Sequence, residues 1–181
     1  MRRLPTRLDG PLLIEPTVYP DERGFFVETF HRARYLELGI DADFVQDNHS
    51  RSVQGTIRGL HLQLPPGQPK LVRVARGRAF DVVVDLRPES PTFRNWESFE
   101  LDDERHHQLF VPGGFAHGFC VLSETCDFVY KVGRYYDPAM ERGLAWDDPE
   151  LSIRWPVTQP IVSTRDQKNQ SLRELVAELR R

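Results

Sequence analysis

At 181 residues the chain suits one domain, read as 1–181, with room for a core of useful size. Charged residues at 28% and hydrophobic ones at 39% fit a folded soluble protein and exclude a disordered one. A net charge of −3 gives no global pull toward nucleic acid, so any anion site has to be a local cluster of Arg and Lys.

No apolar run approaches the roughly 20 residues that cross a bilayer, and no membrane partner is expected. Basic residues at Arg2, Arg3 and Arg7 have no apolar stretch behind them, which argues against a signal peptide. Cys120 and Cys126 both sit in apolar stretches and read as buried reduced thiols, which suits a cytoplasmic location.

In chain order the sequence is punctuated like an all-β protein. Short runs rich in Val, Phe, Ile and Tyr alternate with Gly, Pro, Asn and Asp. Strands are expected at 12–14, 24–30, 43–50, 56–63, 70–76, 79–87, 96–101, 107–111, 117–122, 126–132 and 143–146. In the run 80–86, Phe80, Val82, Val84 and Leu86 share one face, and Asp81 and Asp85 the other, which reads as a wet or functional face. A short helix is expected at 32–38, closed by Gly39. Near the C-terminus Ser171 and Glu174 form a capping box, followed by the apolar stripe Leu172, Leu175, Val176 and Leu179, which must pack on the barrel or on a second subunit. Many short strands in a chain of this size favour a sandwich, jelly roll or barrel, whose inward side chains can line a ligand site.

Three clusters could carry chemistry. In Arg58-Gly59-Leu60-His61-Leu62-Gln63 a strand puts His61 and Gln63 on one face, with Gly59 leaving space beside them. A lone strand histidine is more often structural, but Lys70 and Arg73 follow closely, and the three together suit an anionic substrate with a carbonyl. The second cluster runs Pro112-Gly113-Gly114-Phe115-Ala116-His117-Gly118-Phe119, whose turn delivers His117 onto a strand. Metal-binding cupins place two histidines one residue apart, then a Glu, then a histidine after such a turn. Here Gln63 replaces the second histidine and Lys70 stands in place of the Glu, so no metal and no other cofactor is expected. The third is Phe128-Val129-Tyr130-Lys131 with Tyr135-Tyr136. A strand tyrosine is ordinarily core or rim, but a phenol, protonated at pH 7, can also donate a proton opposite a base.

Taken together, Asp21-Glu22-Arg23-Gly24-Phe25-Phe26, 44–50, 58–63, Lys70-Leu71-Val72-Arg73, 80–87, 89–93, 111–119, Tyr130-Lys131 and Tyr135-Tyr136 closely resemble the dTDP-4-dehydrorhamnose 3,5-epimerases, the RmlC-like cupins. The resemblance runs from about residue 12 to 166. It implies a mainly β fold, a cupin-type jelly roll (double-stranded β-helix) with short flanking helices including one at the C-terminus. It also implies a homodimer in which N-terminal residues of one subunit reach the other's site. The implied activity is inversion of C3 and C5 beside the C4 ketone of a dTDP-linked 4-keto-6-deoxyhexose. By the same resemblance His61 is the base, Tyr130 the opposing acid, Asp166 the partner of His61 (with Asp81 in reserve), and Lys70 the cation beside the C4 oxygen. Arg23, Glu28, Gln46, Asp47, Asn48, Arg58, Gln63, His117, Glu141 and Arg165 fall at nucleotide- or sugar-binding positions, Arg165 where a lysine is common. Members that invert only C3 or only C5, and cupins that shift the ketone, keep the same His-Tyr pair and stay open as alternatives. A metal-dependent cupin oxygenase is the remote one, and a cupin that binds sugar without turnover has no need of a base facing an acid.

Overall fold

Period-two alternation decides what each strand shows to the interior, and two sheets facing one another turn that alternation into a core. The structure, a computed structural model, describes residues 1–180; Arg181, the last residue of the expected domain, lies outside them. The described elements in chain order are β1 (Arg2–Leu4), β2 (Leu12–Glu15), β3 (Val18–Asp21), β4 (Gly24–Val27), α1 (Arg32–Glu37), β5 (Gln46–Val53), β6 (Thr56–Gln63), β7 (Lys70–Arg76), β8 (Arg78–Asp85), β9 (Trp96–Asp102), β10 (Gln108–Val111), β11 (Phe115–Val121), β12 (Thr125–Val132), β13 (Glu141–Gly143), β14 (Ile161–Val162) and α2 (Leu172–Leu179).

One sheet has the order β1-β2-β10-β7-β12-β5, and the other β13-β6-β11-β8-β9, with β14 pairing in parallel on β6. The other pairings are antiparallel, and the two sheets close on each other as the expected jelly roll. A separate hairpin, β3–β4, stands apart from both.

Between the sheets lie Val72, Val74, Val83, Leu101, Leu109, Phe119, Val121 and Phe128, all buried. Sequence neighbours of these residues point outward and are covered in turn. Leu60, Leu62, Val82, Val84 and Ala116 on the back of the second sheet take the stripe Leu172, Leu175 and Val176 of α2. The back of the first sheet takes α1 through Ile14, Leu71, Phe110 and the buried Tyr35. Strand β8 is therefore buried on both faces, so the expectation of a wet face at Asp81 and Asp85 is corrected: both carboxylates are fully enclosed. Asp85 accepts from Arg87, Ser90 and Thr92 in a polar knot that ties the β8–β9 loop. Asp81 is enclosed with a histidine of the neighbouring strand, His117.

Both helix ends follow the sequence signals. Gly39, at φ 89°, lets its own N–H and that of Ile40 reach back to the carbonyls of Leu36 and Tyr35, the paired bonds of a Schellman ending. Ser171 Oγ accepts from Glu174 N while Glu174 Oε2 accepts from Ser171 N, completing the capping box. Several strand limits shift by a few residues. The run expected at 24–30 ends at Val27, that at 43–50 becomes Gln46–Val53, and that at 143–146 becomes Glu141–Gly143. Strands β1, β3 and β14, of two to four residues, were below what periodicity reveals. Cys120 and Cys126 are buried free thiols, with burial pushing them up to about 11 and about 12.

Since Leu175 is completely buried between α2 and the sheet, Leu175→Ala should cost about 3 kcal/mol of unfolding free energy, the usual range for a truncated core leucine. Ser171→Ala should cost ~1 kcal/mol. Urea unfolding of the two variants checks both values, and their order must not invert.

Candidate active site

A cavity of about 450 Å³ opens between the sheets, and its walls come from both. The first sheet contributes Gln46, Asn48 and Ser50 from β5, Lys70 from β7, and Phe128 and Tyr130 from β12. From the second come Arg58, His61 and Gln63 on β6 and His117, Gly118 and Phe119 on β11. Residues 163–166 and the segment 136–141 close the sides.

His61 and His117 sit directly opposite each other on adjacent strands. Each turns Nε2 to a carboxylate. His61 meets Asp166 Oδ1 at 2.6 Å, and His117 meets both oxygens of Asp81, at 3.0 and 2.9 Å. The expected orienting partner, Asp166, is thus in place, while the reserve candidate Asp81 serves the other histidine. The two pairs differ in exposure. The His61 side chain is 29% exposed, against 8% for His117, so His61 is the imidazole a ligand can reach. Burial alone would raise the Asp166 carboxyl, but the hydrogen bond and charge of His61, with the Gly59 N–H, hold it below the usual range. Burial raises Asp81 despite His117 and Lys70.

Local glycines allow this arrangement. A Cβ on Gly59, at φ 122°, would stand 2.7 Å from Gly118 Cα, so only bare backbone lets β6 and β11 approach there, beside both histidines. The β6–β11 register also slips between His117 and Phe119, a local irregularity of the kind that re-aims side chains near sites.

Tyr130 belongs to the sheet opposite His61, and its ring packs against Phe128, which stacks on Phe119 at 4.0 Å. Burial and the charge of Glu141 raise its hydroxyl above the ordinary phenol value against a lowering by Arg58, so it stays protonated at neutral pH. Lys70 Nζ donates to the His61 carbonyl at 3.3 Å. Desolvation lowers its ammonium to about 8, although Glu141 and Asp81 pull it upward. Arg58, held by a 2.9 Å bond from Nε to Ser52 Oγ, has no ion pair among the described residues. Two cations without a bound carboxylate, Arg58 and Lys70, therefore face a cavity that already contains a base and a phenol, a combination fit for an anion bearing a carbonyl.

At the mouth, Glu141 accepts from Tyr136 Oη at 2.7 Å and pairs with Arg165. Gln46 bonds Asn48 and the Tyr136 backbone, and Gln63 donates to the Asp137 carbonyl. Among the described residues no three His, Cys, Asp or Glu gather in a metal-holding group.

Three expected binding residues do not reach this cavity. Arg23 bonds Asp21 in the exposed hairpin, Glu28 pairs with Arg34, and Asp47 pairs with Lys131 on the outer side of its strand. Arg73 is also corrected. Three places from Lys70 on a strand, it points to the opposite side of the sheet, into a second cavity of about 340 Å³ with Gln108 and Lys131. Residues 46, 48 and 50 share one face of β5, and that alternation alone would have added Ser50, whose buried hydroxyl has no partner among the described residues, and dropped Asp47. Tyr136 lies in a cluster the sequence had marked. Ser163 and Gln68 had no signal.

Comparisons with known proteins bear on this geometry. The sequence model of the dTDP-4-dehydrorhamnose 3,5-epimerase family matches residues 5–174. A dTDP-4-dehydrorhamnose 3,5-epimerase of Methanothermobacter thermautotrophicus is 49% identical over 96% of this chain and 95% of its own length. A Streptomyces niveus dTDP-4-dehydrorhamnose 3-epimerase is 43% identical over 92% and 82%. The crystal structure of the Legionella pneumophila dTDP-6-deoxy-D-glucose-3,5-epimerase in complex with dTDP-4-keto-L-rhamnose superposes with a TM-score of 0.93 at 48% identity, covering 98% of this chain and 96% of that one.

The desolvated ammonium gives a direct test of the cavity's electrostatics. In an NMR titration Lys70 should lose its proton at about 8, well below the value of about 10.4 for an ordinary solvated lysine. A Lys70 resonance that moves only in the ordinary lysine range would show that its ammonium is not desolvated by the cavity wall.

Proposed function

The chain belongs to the dTDP-4-dehydrorhamnose 3,5-epimerase family, and from that premise we propose that its cavity inverts C3 and C5 of a dTDP-linked 4-keto-6-deoxyhexose without a metal. The observation that supports this reading best is the placement of His61, with its carboxylate, and Tyr130 on opposite sheets across one cavity.

The chemistry follows from the ketone. A proton on a carbon beside C4 is acidic because the C–H electron pair can pass into the C4 carbonyl as an enolate. Asp166 holds Nε2–H of His61, leaving the lone pair of Nδ1 to accept that proton. The Lys70 ammonium stands where negative charge grows on O4, so it stabilises the enolate more than the ketone. Reprotonation by the Tyr130 phenol from the other sheet delivers hydrogen to the opposite face of the ring and inverts the carbon. Exchange with solvent then takes the proton from His61 and returns one to the Tyr130 phenolate, and the same cycle at the second carbon completes the double epimerisation. Arg58, with a fork of free N–H groups, suits the diphosphate.

Arg23 and Glu28 enter this reading through a homodimer. The β3–β4 hairpin presents Tyr19, Phe25 and Phe26 at 59, 57 and 68% exposure, an unusual apolar surface for a lone hairpin. Packed on a second copy, that arm would carry Arg23 and Glu28 toward the partner's cavity. A cytoplasmic setting agrees with the two thiols, and no described helix is long and apolar enough to cross a membrane.

His61→Ala and Tyr130→Phe should keep the parent melting temperature and lose turnover by about 100-fold to 10,000-fold, the first more completely. Undiminished turnover in His61→Ala would remove the base from the scheme. Incubation of dTDP-4-keto-6-deoxyglucose with enzyme dialysed against a chelator, in heavy water, should place deuterium at both C3 and C5. Label at one carbon only makes the chain a single-position epimerase like the Streptomyces relative, and activity restored only by added metal rejects the metal-free reading.

A further inference from the structure

We infer that Asn169 is a positioning residue for the reaction, clamping the turn that carries Asp166 onto β6 so that the carboxylate meets His61. The inference rests on the roles proposed above for His61 and Asp166. The edge of β6 is covered unevenly. At one end β13 pairs with residues 61–63, and Leu144 bonds Leu60 in both directions at 3.2 and 2.9 Å. At the other end β14 pairs with Thr56 and Ile57. Gly59 falls between them, where no strand supplies partners.

Its two peptide groups are taken by side chains of one short turn instead. Asp166 Oδ2 accepts from Gly59 N at 3.3 Å, and Asn169 Nδ2 donates to Gly59 O at 3.4 Å. Asp166 opens that 3-10 turn and Asn169 ends it, so the turn straddles a single residue of the strand. A carboxylate alone would hold the turn at one point and leave it free to swing; a second point fixes its rotation. The first of those points shares its carboxylate with His61, through the other oxygen.

Space for the second point is provided by Gly143. It lies directly opposite His61 in the register of β13 and β6, and a Cβ there would fall 1.8 Å from Asn169 Oδ1. The amide thus occupies the volume that any other residue at 143 would fill. Behind it the chain is fixed again, since Gln170 N bonds the Gly143 carbonyl at 3.1 Å and Ala145 N bonds the Gln170 carbonyl at 2.7 Å. With Gln170 already anchored, Asn169 is the adjustable element between a fixed backbone and the carboxylate. An amide side chain suits this position, because a neutral donor grips the carbonyl without adding charge beside the His61–Asp166 pair.

Removing the clamp should let Asp166 drift from Nε2, freeing the His61 ring to turn from its reacting orientation and leaving substrate contacts intact. Asn169→Ala, and separately Gly143→Ala, should therefore reduce kcat ~10-fold with KM within about twofold, the scale expected when a reacting group is misplaced by a fraction of an ångström to an ångström. Asn169→Ser, a smaller polar variant, covers the case in which Asn169→Ala does not fold. In an Asp166→Ala background the Asn169 change should have no further effect on kcat, the signature of two residues acting through one contact. A loss that is the same with and without Asp166, a change in KM alone, or failure of both Asn169 variants to fold would overturn the inference. Asp166→Ala with parental kcat would instead reject the His61–Asp166 reading itself.

Discussion

The contact between the His61 ring and the Asp166 carboxylate joins positions 105 residues apart, and the site is organised around it. A lone imidazole on a strand facing a cavity can rotate, choose either tautomer and bond to water. Tied through Nε2 at 2.6 Å, it presents one nitrogen in one direction. That tie requires the chain, after leaving the second sheet at β13, to return along the edge of β6. Strand β14, the turn at Asp166 and helix α2 make up the return. The apolar stripe of α2 is what holds it: with Leu172, Leu175 and Val176 buried on the back of the same sheet, the segment before the helix is drawn against β6. Packing on one side of the sheet thereby holds a carboxylate against an imidazole that faces the other.

Two sheets also give the cavity two chemically different walls. The second carries the histidines and the first carries Tyr130 and Lys70. Strand alternation then sorts each wall: Leu60 and Leu62 go to the α2 side while His61 and Gln63 go inward, and Leu71 goes to the α1 side while Lys70 goes inward. Placing an imidazole and a phenol on facing sheets gives a flat ligand lying between them one such group on each face. A base and acid on the same strand would reach only one face, and would return a proton to the side it left.

Much of this was legible in the sequence because alternation and turn chemistry are local. The helix endings at Gly39 and Ser171 and most of the eleven expected strands came from signals spanning a few residues. Where reading failed, the cause was either period or distance. Arg73 was grouped with Lys70 by closeness along the chain, although three residues on a strand is an odd step and reverses the face. Asp81 and Asp85 read from alternation as a wet or functional face, and the polar partners that let them be buried instead, His117 and the Arg87–Ser90–Thr92 knot, are not revealed by that alternation. Very short strands such as β14 carry no period at all. The pairing of Asp166 with His61 came from resemblance to a family and could not come from spacing, since nothing local links the two.

The two histidine–carboxylate pairs show why the same scaffold need not act as a metal site. A divalent ion needs several lone pairs converging on one point. Here Nε2 of each histidine is directed at its own carboxylate, Gln63 gives its amide to the Asp137 carbonyl, and the Lys70 ammonium, a cation that would repel a divalent ion, donates to the His61 carbonyl. The same four positions that could have converged are each held apart by a private partner. What distinguishes the two imidazoles is then burial and how many carboxylate oxygens hold each. His117, 8% exposed, is gripped by both oxygens of a buried Asp81, while His61, 29% exposed and bonded to one oxygen of Asp166, is open to whatever enters the cavity. Exposure and bonding partner, more than residue type, set them apart.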